Sequence, residues 1–310
     1  MKNRLTALVA SALLLIAPAC GSTTPAAEDD KLTVVAAFYP LQFVAERVAG
    51  ERATVTSLTS PGQEAHDVDL SAKQVASLTE ADLVIYQKGF QSAVDDAVQQ
   101  AQPKRVIDVS TAVELMESAT DDGHEHHEHS EGDGHEHATD PHIWLDPTNM
   151  AAITSAVATT LAEVDAEGSD ALTANADKLK TELTTLDNDF TAGLKNCQRK
   201  EFITSHAAFG YLAHAYGLTQ IGISGLSPES DPSPTRIAEV QKLAREHGVT
   251  TIFYETLTSP GHAKAIAGDL KLRTDVLDPI EGITPESKGT DYIAVQRANL
   301  AALKTANGCQ

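Results

Sequence analysis

Cysteine, tryptophan and long apolar runs are scarce in this sequence. It contains three cysteines, one tryptophan and 5% aromatic residues in a chain of 310 residues. After residue 16 no apolar run is long enough to cross a bilayer as a helix. The HExxH pattern of zinc hydrolases, the Gly-x-Ser-x-Gly pattern of serine hydrolases and the phosphate-binding P-loop are also absent. We therefore expect neither a later membrane-spanning segment nor an enzyme.

Positive charge is missing from the middle of the chain. No lysine or arginine occurs between Arg105 and Lys178, and the formal net charge is -21. An acidic field of this kind attracts cations and repels nucleic acids and anionic membrane surfaces. We therefore expect no nucleic-acid partner, although the same charge also favours solubility.

The N-terminal segment predicts export and a lipid anchor. A short positive stretch precedes the apolar run 5–16, which is too short to span a bilayer. Small residues then lead to Ala17-Pro-Ala-Cys20, which is similar to a bacterial lipobox. We expect a signal peptide over residues 1–19, lipidation of Cys20 and a tether over residues 20–31. The protein would then lie outside the cytoplasm, anchored to the cell membrane. Ordinary secretion with cleavage nearby is the alternative.

Two cysteines remain once Cys20 is assigned to the lipid. These are Cys197 and Cys309, and an oxidising compartment favours their pairing as a disulfide bond. Two free thiols that bind a metal are the alternative. The absence of CxxC-type spacing between the two cysteines counts against this alternative.

Strand-like and helix-like runs alternate on both sides of one long helical pattern. The alternation predicts an α/β fold with parallel sheets flanked by helices. In the segment 168–196 the apolar residues step by threes and fours, which predicts one helix about 40 Å long. We therefore predict an N-terminal lobe over residues 32–167, a C-terminal lobe over residues 197–310 and a rigid helix that joins them.

The segment 121–140 is rich in histidine and acid. It holds six histidines and eight aspartates or glutamates, a composition that cannot bury a core. We interpret it as a mobile collector that raises the local zinc concentration or senses saturation; a solvated spacer is the alternative. Its candidate auxiliary metal ligands are His124, His126, His127, His129, His135 and His137.

Candidate metal ligands occur where predicted strands end in both halves of the chain. Ligands of parallel α/β sheets bind beyond the carboxyl ends of the strands. Three neutral imidazoles and one carboxylate form a tetrahedral set that suits Zn²⁺ better than Mn²⁺. Four protein ligands also leave no position for a reactive water, which counts against a hydrolase. The candidates, two from each half, are His66, His142, His206 and Asp278.

Other acids near these positions have less certain roles. The sequence favours a turn role for Asp140 and a helix-capping role for Asp146. Asp67 and Asp69 could orient His66 or simply be loop acids. Glu255 follows a predicted strand, where a place near the cleft, a helix cap or a salt bridge on the cleft wall all fit the pattern.

Four segments resemble the zinc/manganese solute-binding lipoproteins of ABC importers. The resemblance runs in order along nearly all of the mature chain, and it implies two α/β lobes joined by one long helix, with metal in the cleft. It also implies the same four ligands, and manganese members tend to place a carboxylate where His206 stands. The segments are Ala65-His-Asp67, Asp140-Pro-His-Ile-Trp-Leu-Asp-Pro147, Ser205-His-Ala-Ala-Phe-Gly-Tyr-Leu212 and Leu277-Asp-Pro279.

The resemblance implies a function in metal uptake. We expect a high-affinity extracytoplasmic zinc receptor, monomeric, that delivers Zn²⁺ to an ABC permease and its ATPase. A manganese-specific receptor of the same family is one alternative. An extracytoplasmic zinc buffer or metallochaperone without a transporter is another.

Overall fold

The computed structural model describes residues 31–117 and 139–310. The predicted signal peptide, the lipidated Cys20, nearly all of the tether and the six histidines of the segment 121–140 lie outside these residues. Within the described ranges, no helix combines the length and the apolar character needed to cross a bilayer.

The N-terminal lobe is a four-stranded parallel sheet in the order β2-β1-β3-β4. The two inner strands are buried along most of their length, as expected for a sheet covered by helices on both faces. Its strands are β1 (Leu32–Ala36), β2 (Ala53–Ser57), β3 (Leu83–Tyr86) and β4 (Val106–Asp108), and its helices are α1 (Tyr39–Ala49), α2 (Ala72–Glu80) and α3 (Ser92–Ala101).

The C-terminal lobe repeats this arrangement with the strand order β6-β5-β7-β8, again all parallel. The two sheets therefore confirm the predicted α/β class with two lobes. The strands are β5 (Glu201–Thr204), β6 (Thr219–Gly222), β7 (Thr251–Tyr254) and β8 (Arg273–Val276). Its helices are α6 (Gly210–Ala215), α7 (Pro234–Glu246), α8 (Gly261–Leu270) and α9 (Tyr292–Asn307). Two helices precede this lobe along the chain: α4 (Pro147–Val164), which belongs to the first lobe, and α5 (Ser169–Leu194), which connects the lobes.

Helix α5 is the predicted long connection. It has 26 residues, which corresponds to about 39 Å. Its buried face packs on α1 and α4 of the first lobe and on α9 of the second. At the α9 contact Gly193 leaves no spare room, because a Cβ there would lie 3.1 Å from Leu300. The helix therefore packs against both lobes, and this packing supports the rigid connection that the sequence predicts.

A disulfide bond closes the second lobe, and buried hydrogen bonds link the two lobes. Cys197 and Cys309 form a disulfide bond, which ties the residues after α5 to the residues after α9 and removes both thiols as candidate metal ligands. Near the cleft, the Trp144 indole N–H donates to the Pro279 carbonyl at 2.7 Å. The Tyr292 hydroxyl donates in turn to the Trp144 carbonyl at 2.5 Å. All of these polar atoms are buried, so the hydrogen bonds fix the lobes close to where the strands end.

The buried stripe of α5 yields a stability prediction. Leu183 is fully buried in this stripe, so Leu183→Ala should lower the free energy of unfolding by about 2–5 kcal/mol through lost transfer energy and a cavity. The neighbouring Thr184 is exposed, and Thr184→Ala should change it by at most about 0.5 kcal/mol. Urea unfolding followed by circular dichroism measures both. Equal losses in the two variants would contradict the packing described for α5.

Candidate metal centre

Four side chains converge where the strands of the two lobes end. They offer one ligand atom each, and all of these atoms lie within 4.8 Å of one another. The group contains the three histidines that the sequence predicts as ligands, and its fourth member is a glutamate. The group consists of His66, His142, His206 and Glu281.

The chain brings these residues together through the loops that follow parallel strands. His66 lies in the loop after β2, and His142 immediately precedes the short 3-10 helix Ile143–Leu145. His206 follows β5 directly, and Glu281 lies in the loop after β8. Each lobe supplies two ligands, as expected for a cleft at the carboxyl ends of parallel strands.

Five of the six separations between the ligand atoms are close to the edges of a tetrahedron. The Nε2 atom of His142 lies 3.2 Å from the Nε2 atoms of both His66 and His206. Glu281 Oε1 lies 3.4, 3.8 and 3.6 Å from the Nε2 atoms of His66, His142 and His206. A tetrahedral Zn²⁺ with ligand distances of about 2.0–2.1 Å has edges of about 3.3–3.4 Å. The side chains therefore already stand close to the separations that such an ion requires.

Asp278, the carboxylate expected from the sequence, is not part of this group. Its Oδ1 accepts the Ile280 N–H at 2.8 Å, and its Oδ2 accepts the hydroxyls of Ser287 at 2.8 Å and Thr256 at 3.2 Å. Asp278 thus shapes the turn in which Ile280 adopts a positive φ of 60°. This turn presents Glu281, whose Oε1 is buried without any hydrogen-bond partner. The carboxylate that lies with the three histidines is thus three residues further along than the acid expected from the sequence, and both acids occupy the same loop after β8.

Two buried carboxylates orient the histidines. His142 Nδ1 donates to Asp140 Oδ1 at 2.8 Å, and His206 Nδ1 donates to Glu255 Oε1 at 2.7 Å. These bonds fix the tautomer in which Nε2 carries the lone pair that a metal needs. Asp140, interpreted from the sequence as a turn residue, therefore acts on His142, and Glu255 takes the cleft position that the sequence left open. Neither Asp67 nor Asp69 contacts His66 in this way within the described residues.

The Asp140 carboxylate needs space that only glycine provides. A Cβ on Gly210, at the start of α6, would lie 2.3 Å from Asp140 Oδ2. The next residue, Tyr211, donates its hydroxyl to the Asp140 carbonyl at 3.1 Å and accepts the Met116 N–H at 2.8 Å. The Gly-Tyr pair of the segment 205–212 therefore joins α6 of the second lobe to the residues beside His142.

Burial and charge act against each other on the titratable groups of the centre. Burial lowers the pKa of the His206 imidazole, but the charge and hydrogen bond of Glu255 and the contact with Glu281 prevail and raise it to about 10. Burial would raise the pKa of the Glu281 carboxyl, yet its close contacts with the imidazoles of His206 and His66 hold it well below its usual range. Burial lowers the pKa of His142. The centre thus holds an ionised carboxylate before any metal binds.

The surroundings of the centre are apolar on the side of the first lobe. The Phe90 ring meets His66 edge-on at a centroid distance of 4.7 Å and lies 5.1 Å from the Trp144 ring. Of the four ligand side chains, His66 is 10% exposed, whereas His142 and His206 are fully buried and Glu281 is 1% exposed. His66 therefore lies at the solvent side of the centre.

The donor set determines the chemistry. Three neutral imidazoles and one carboxylate, arranged tetrahedrally, suit Zn²⁺, whereas Mn²⁺ favours more oxygen ligands and a larger coordination number. With four protein ligands in place, no position remains for an activated water. The geometry fits the capture of an ion rather than catalysis.

Comparison with known proteins gives one family and several relatives. The family model described as "ZnuA: Zinc-uptake complex component A periplasmic" matches residues 34–306. The "High-affinity zinc uptake system protein ZnuA" of Bacillus subtilis is 32% identical over 96% of this chain and 95% of its own length. The "Zinc-binding lipoprotein AdcA" of Streptococcus pneumoniae is 33% identical over 97% of this chain, which spans only 60% of that protein.

A solved structure agrees with these matches. The crystal structure of the Zn(II)-bound ZnuA-like domain of Streptococcus pneumoniae AdcA superposes with a TM-score of 0.74 at 31% identity, covering 89% of this chain and 99% of that domain. The two-lobed fold described above is therefore that of a structure determined with zinc bound.

The raised pKa of His206 predicts proton release on metal binding. At pH 8 an imidazole of ordinary pKa is already neutral, whereas His206, with a pKa of about 10, is protonated. Ligation requires the neutral form, so binding of Zn²⁺ at pH 8 should release about one proton per ion. Calorimetric titrations in buffers of different ionisation enthalpy measure this number.

Glu255→Gln provides the control for proton release. It removes the charge that raises the pKa of His206 and should therefore reduce the proton release at pH 8 toward zero. The same proton count in wild type and variant would show that His206 is not the source.

Proposed function

The chain belongs to the ZnuA family of zinc-uptake components, and we propose that it is a high-affinity extracytoplasmic receptor that captures Zn²⁺ for import. His66, His142, His206 and Glu281 are its ligands. One observation carries the proposal: four ligand atoms of the types that zinc prefers lie within 4.8 Å of one another, and five of their six separations are 3.2–3.8 Å.

The relatives support the choice of metal. The names of the two sequence relatives described above refer to zinc, and the superposed ZnuA-like domain was solved in its Zn(II)-bound form. In this chain His206 is held by Glu255 as a nitrogen ligand, which disfavours the manganese-specific receptor that the sequence left open.

The remaining parts of the proposal concern location and partners. A signal peptide, lipidation of Cys20 and a short tether would hold the receptor, as a monomer, at the outer face of the cell membrane. An ABC permease and its ATPase would receive the ion there. A zinc buffer without a transporter shares the same ligands, so loss of zinc uptake on deletion of the gene distinguishes the receptor from the buffer.

Replacement of Glu281 tests the ligand assignment. Glu281→Gln keeps the shape of the side chain and removes its charge, so the zinc affinity should fall by about 100-fold or more, as expected when a ligand rather than a supporting group is changed. Competition with a chromophoric chelator measures the dissociation constant. In cells that lack the wild-type gene, the variant should not restore zinc uptake.

The matched control for this replacement is Glu286→Gln. Glu286 lies five residues further along the same loop and is exposed, so its replacement should leave the dissociation constant unchanged. If Glu281→Gln bound zinc as tightly as Glu286→Gln does, Glu281 would not be a ligand.

Deletion of the histidine-rich segment tests the collector hypothesis. Removing residues 121–136 keeps Asp140 and its hydrogen bond to His142, so the affinity of the buried centre should be unchanged. Zinc uptake by cells should fall at low external zinc, because the collector is lost, and recover at high zinc. Loss of the tight site on deletion would contradict this hypothesis, and unchanged uptake at low zinc would favour the spacer.

A further inference from the structure

Two glutamines that the sequence does not single out are buried beside the metal centre. Gln87 and Gln91 are 4% and 2% exposed and lie in the five-residue connection between β3 and α3. A buried amide destabilises a protein unless it is hydrogen-bonded. The partners of these two amides therefore show what the glutamines do.

Each glutamine holds the residue that directly precedes a ligand. Gln91 Nε2 donates to the Ala65 carbonyl at 2.8 Å, next to His66. Gln87 Nε2 donates to the Pro141 carbonyl at 2.5 Å, next to His142. A carbonyl only accepts hydrogen bonds, so the nitrogen of each amide must face it. The side chains are thus fixed in orientation as well as in place.

The connection between β3 and α3 is also what joins the two ligand loops. Among the hydrogen bonds of the described residues, the contact between His66 and His142 themselves is the only one that links the loop 59–68 to the segment 140–145. Gln87 and Gln91 belong to one short piece of chain that contacts both sides, and Phe90 between them packs against His66. The separation of the two imidazoles is therefore set through this piece.

The choice of amide fits this role. A neutral donor holds a carbonyl without adding positive charge beside a cation site, whereas lysine or arginine would repel the ion. Gln87 Oε1 is buried without a partner, which is unfavourable for stability. Its presence is therefore better explained by the carbonyl that its nitrogen holds than by a contribution to folding.

We propose that Gln87 and Gln91 are positioning residues that set the distance between His66 and His142 and thereby the affinity and coordination geometry of the metal centre. This inference rests on the proposed function. Because the two amides touch the carbonyls and not the ion, their effect is exerted through the backbone of the ligand loops.

The test uses methionine, which has nearly the same shape and cannot donate. In the full chain, Gln87→Met with Gln91→Met should weaken Zn²⁺ binding by about tenfold or more, the usual effect of removing a group that orients a ligand. The d–d absorption of bound Co²⁺, which reports tetrahedral geometry, should shift or lose intensity. Each single variant is measured as well, so that a misfolded double variant does not remove the test.

Gln74→Met is the matched control. Gln74 lies in α2, and its amide donates to the Leu58 carbonyl at 2.6 Å. Leu58 is in the same connection after β2 as His66, but it is not next to a ligand. It should lower the free energy of unfolding while leaving the zinc affinity and the Co²⁺ spectrum unchanged. Gln87→Met should instead weaken zinc binding, with a smaller effect on the free energy of unfolding, because removal of the unpaired Oε1 offsets part of the lost hydrogen bond to the Pro141 carbonyl.

The outcomes separate this inference from the function on which it rests. Tight zinc binding by the wild type, with the affinity and Co²⁺ spectrum unchanged in every glutamine variant, would overturn the positioning role alone. A wild-type protein that does not bind zinc would overturn both. A loss of affinity that Gln74→Met reproduces would show a general effect of stability and would also overturn the positioning role.

Discussion

The main constraint on the structure is that the fold holds three imidazole nitrogens close together. His142 Nε2 stands 3.2 Å from two other Nε2 atoms. With their Nδ1 atoms donating to Asp140 and Glu255, His142 and His206 direct lone pairs toward the same point when they are neutral. Such lone pairs repel until a cation or a proton lies between them. The fold must therefore supply enough rigidity to keep the ligands together, and the carboxylates of Glu255 and Glu281, which raise the pKa of His206, favour a proton on that imidazole when no metal is bound.

That rigidity comes from links between the lobes that do not involve a metal. Helix α5 packs on both lobes, and Trp144 donates across the cleft to Pro279. Within the second lobe, the disulfide bond closes the chain next to α5. Trp144 is two residues from His142, and Pro279 is two residues from Glu281. A single buried hydrogen bond therefore couples ligands from the two lobes, so that much of the entropy of ordering the ligands is lost on folding rather than on binding.

The sequence predicted those features that depend on pattern or on position along the chain. The apolar periodicity gave α5, and the βα alternation gave two parallel sheets. The rule that ligands follow strand ends located three histidines that the structure brings together. For the carboxylate the same rule selects the acid nearest to the strand, Asp278, whereas the acid that the turn directs toward the histidines is Glu281. Gln87 and Gln91 could not be predicted, because their partners lie 54 and 26 residues away along the chain and no local pattern records such contacts.

The partial exposure of His66 marks the side from which the metal centre can be reached from solvent. The other three ligands are sealed within the protein, while this imidazole alone borders water, on a loop attached through Gln91 and Phe90. An ion that enters from solvent would therefore meet the His66 nitrogen first and the three deeper ligand atoms afterward. An ion that leaves would take the same route outward, past the His66 side chain.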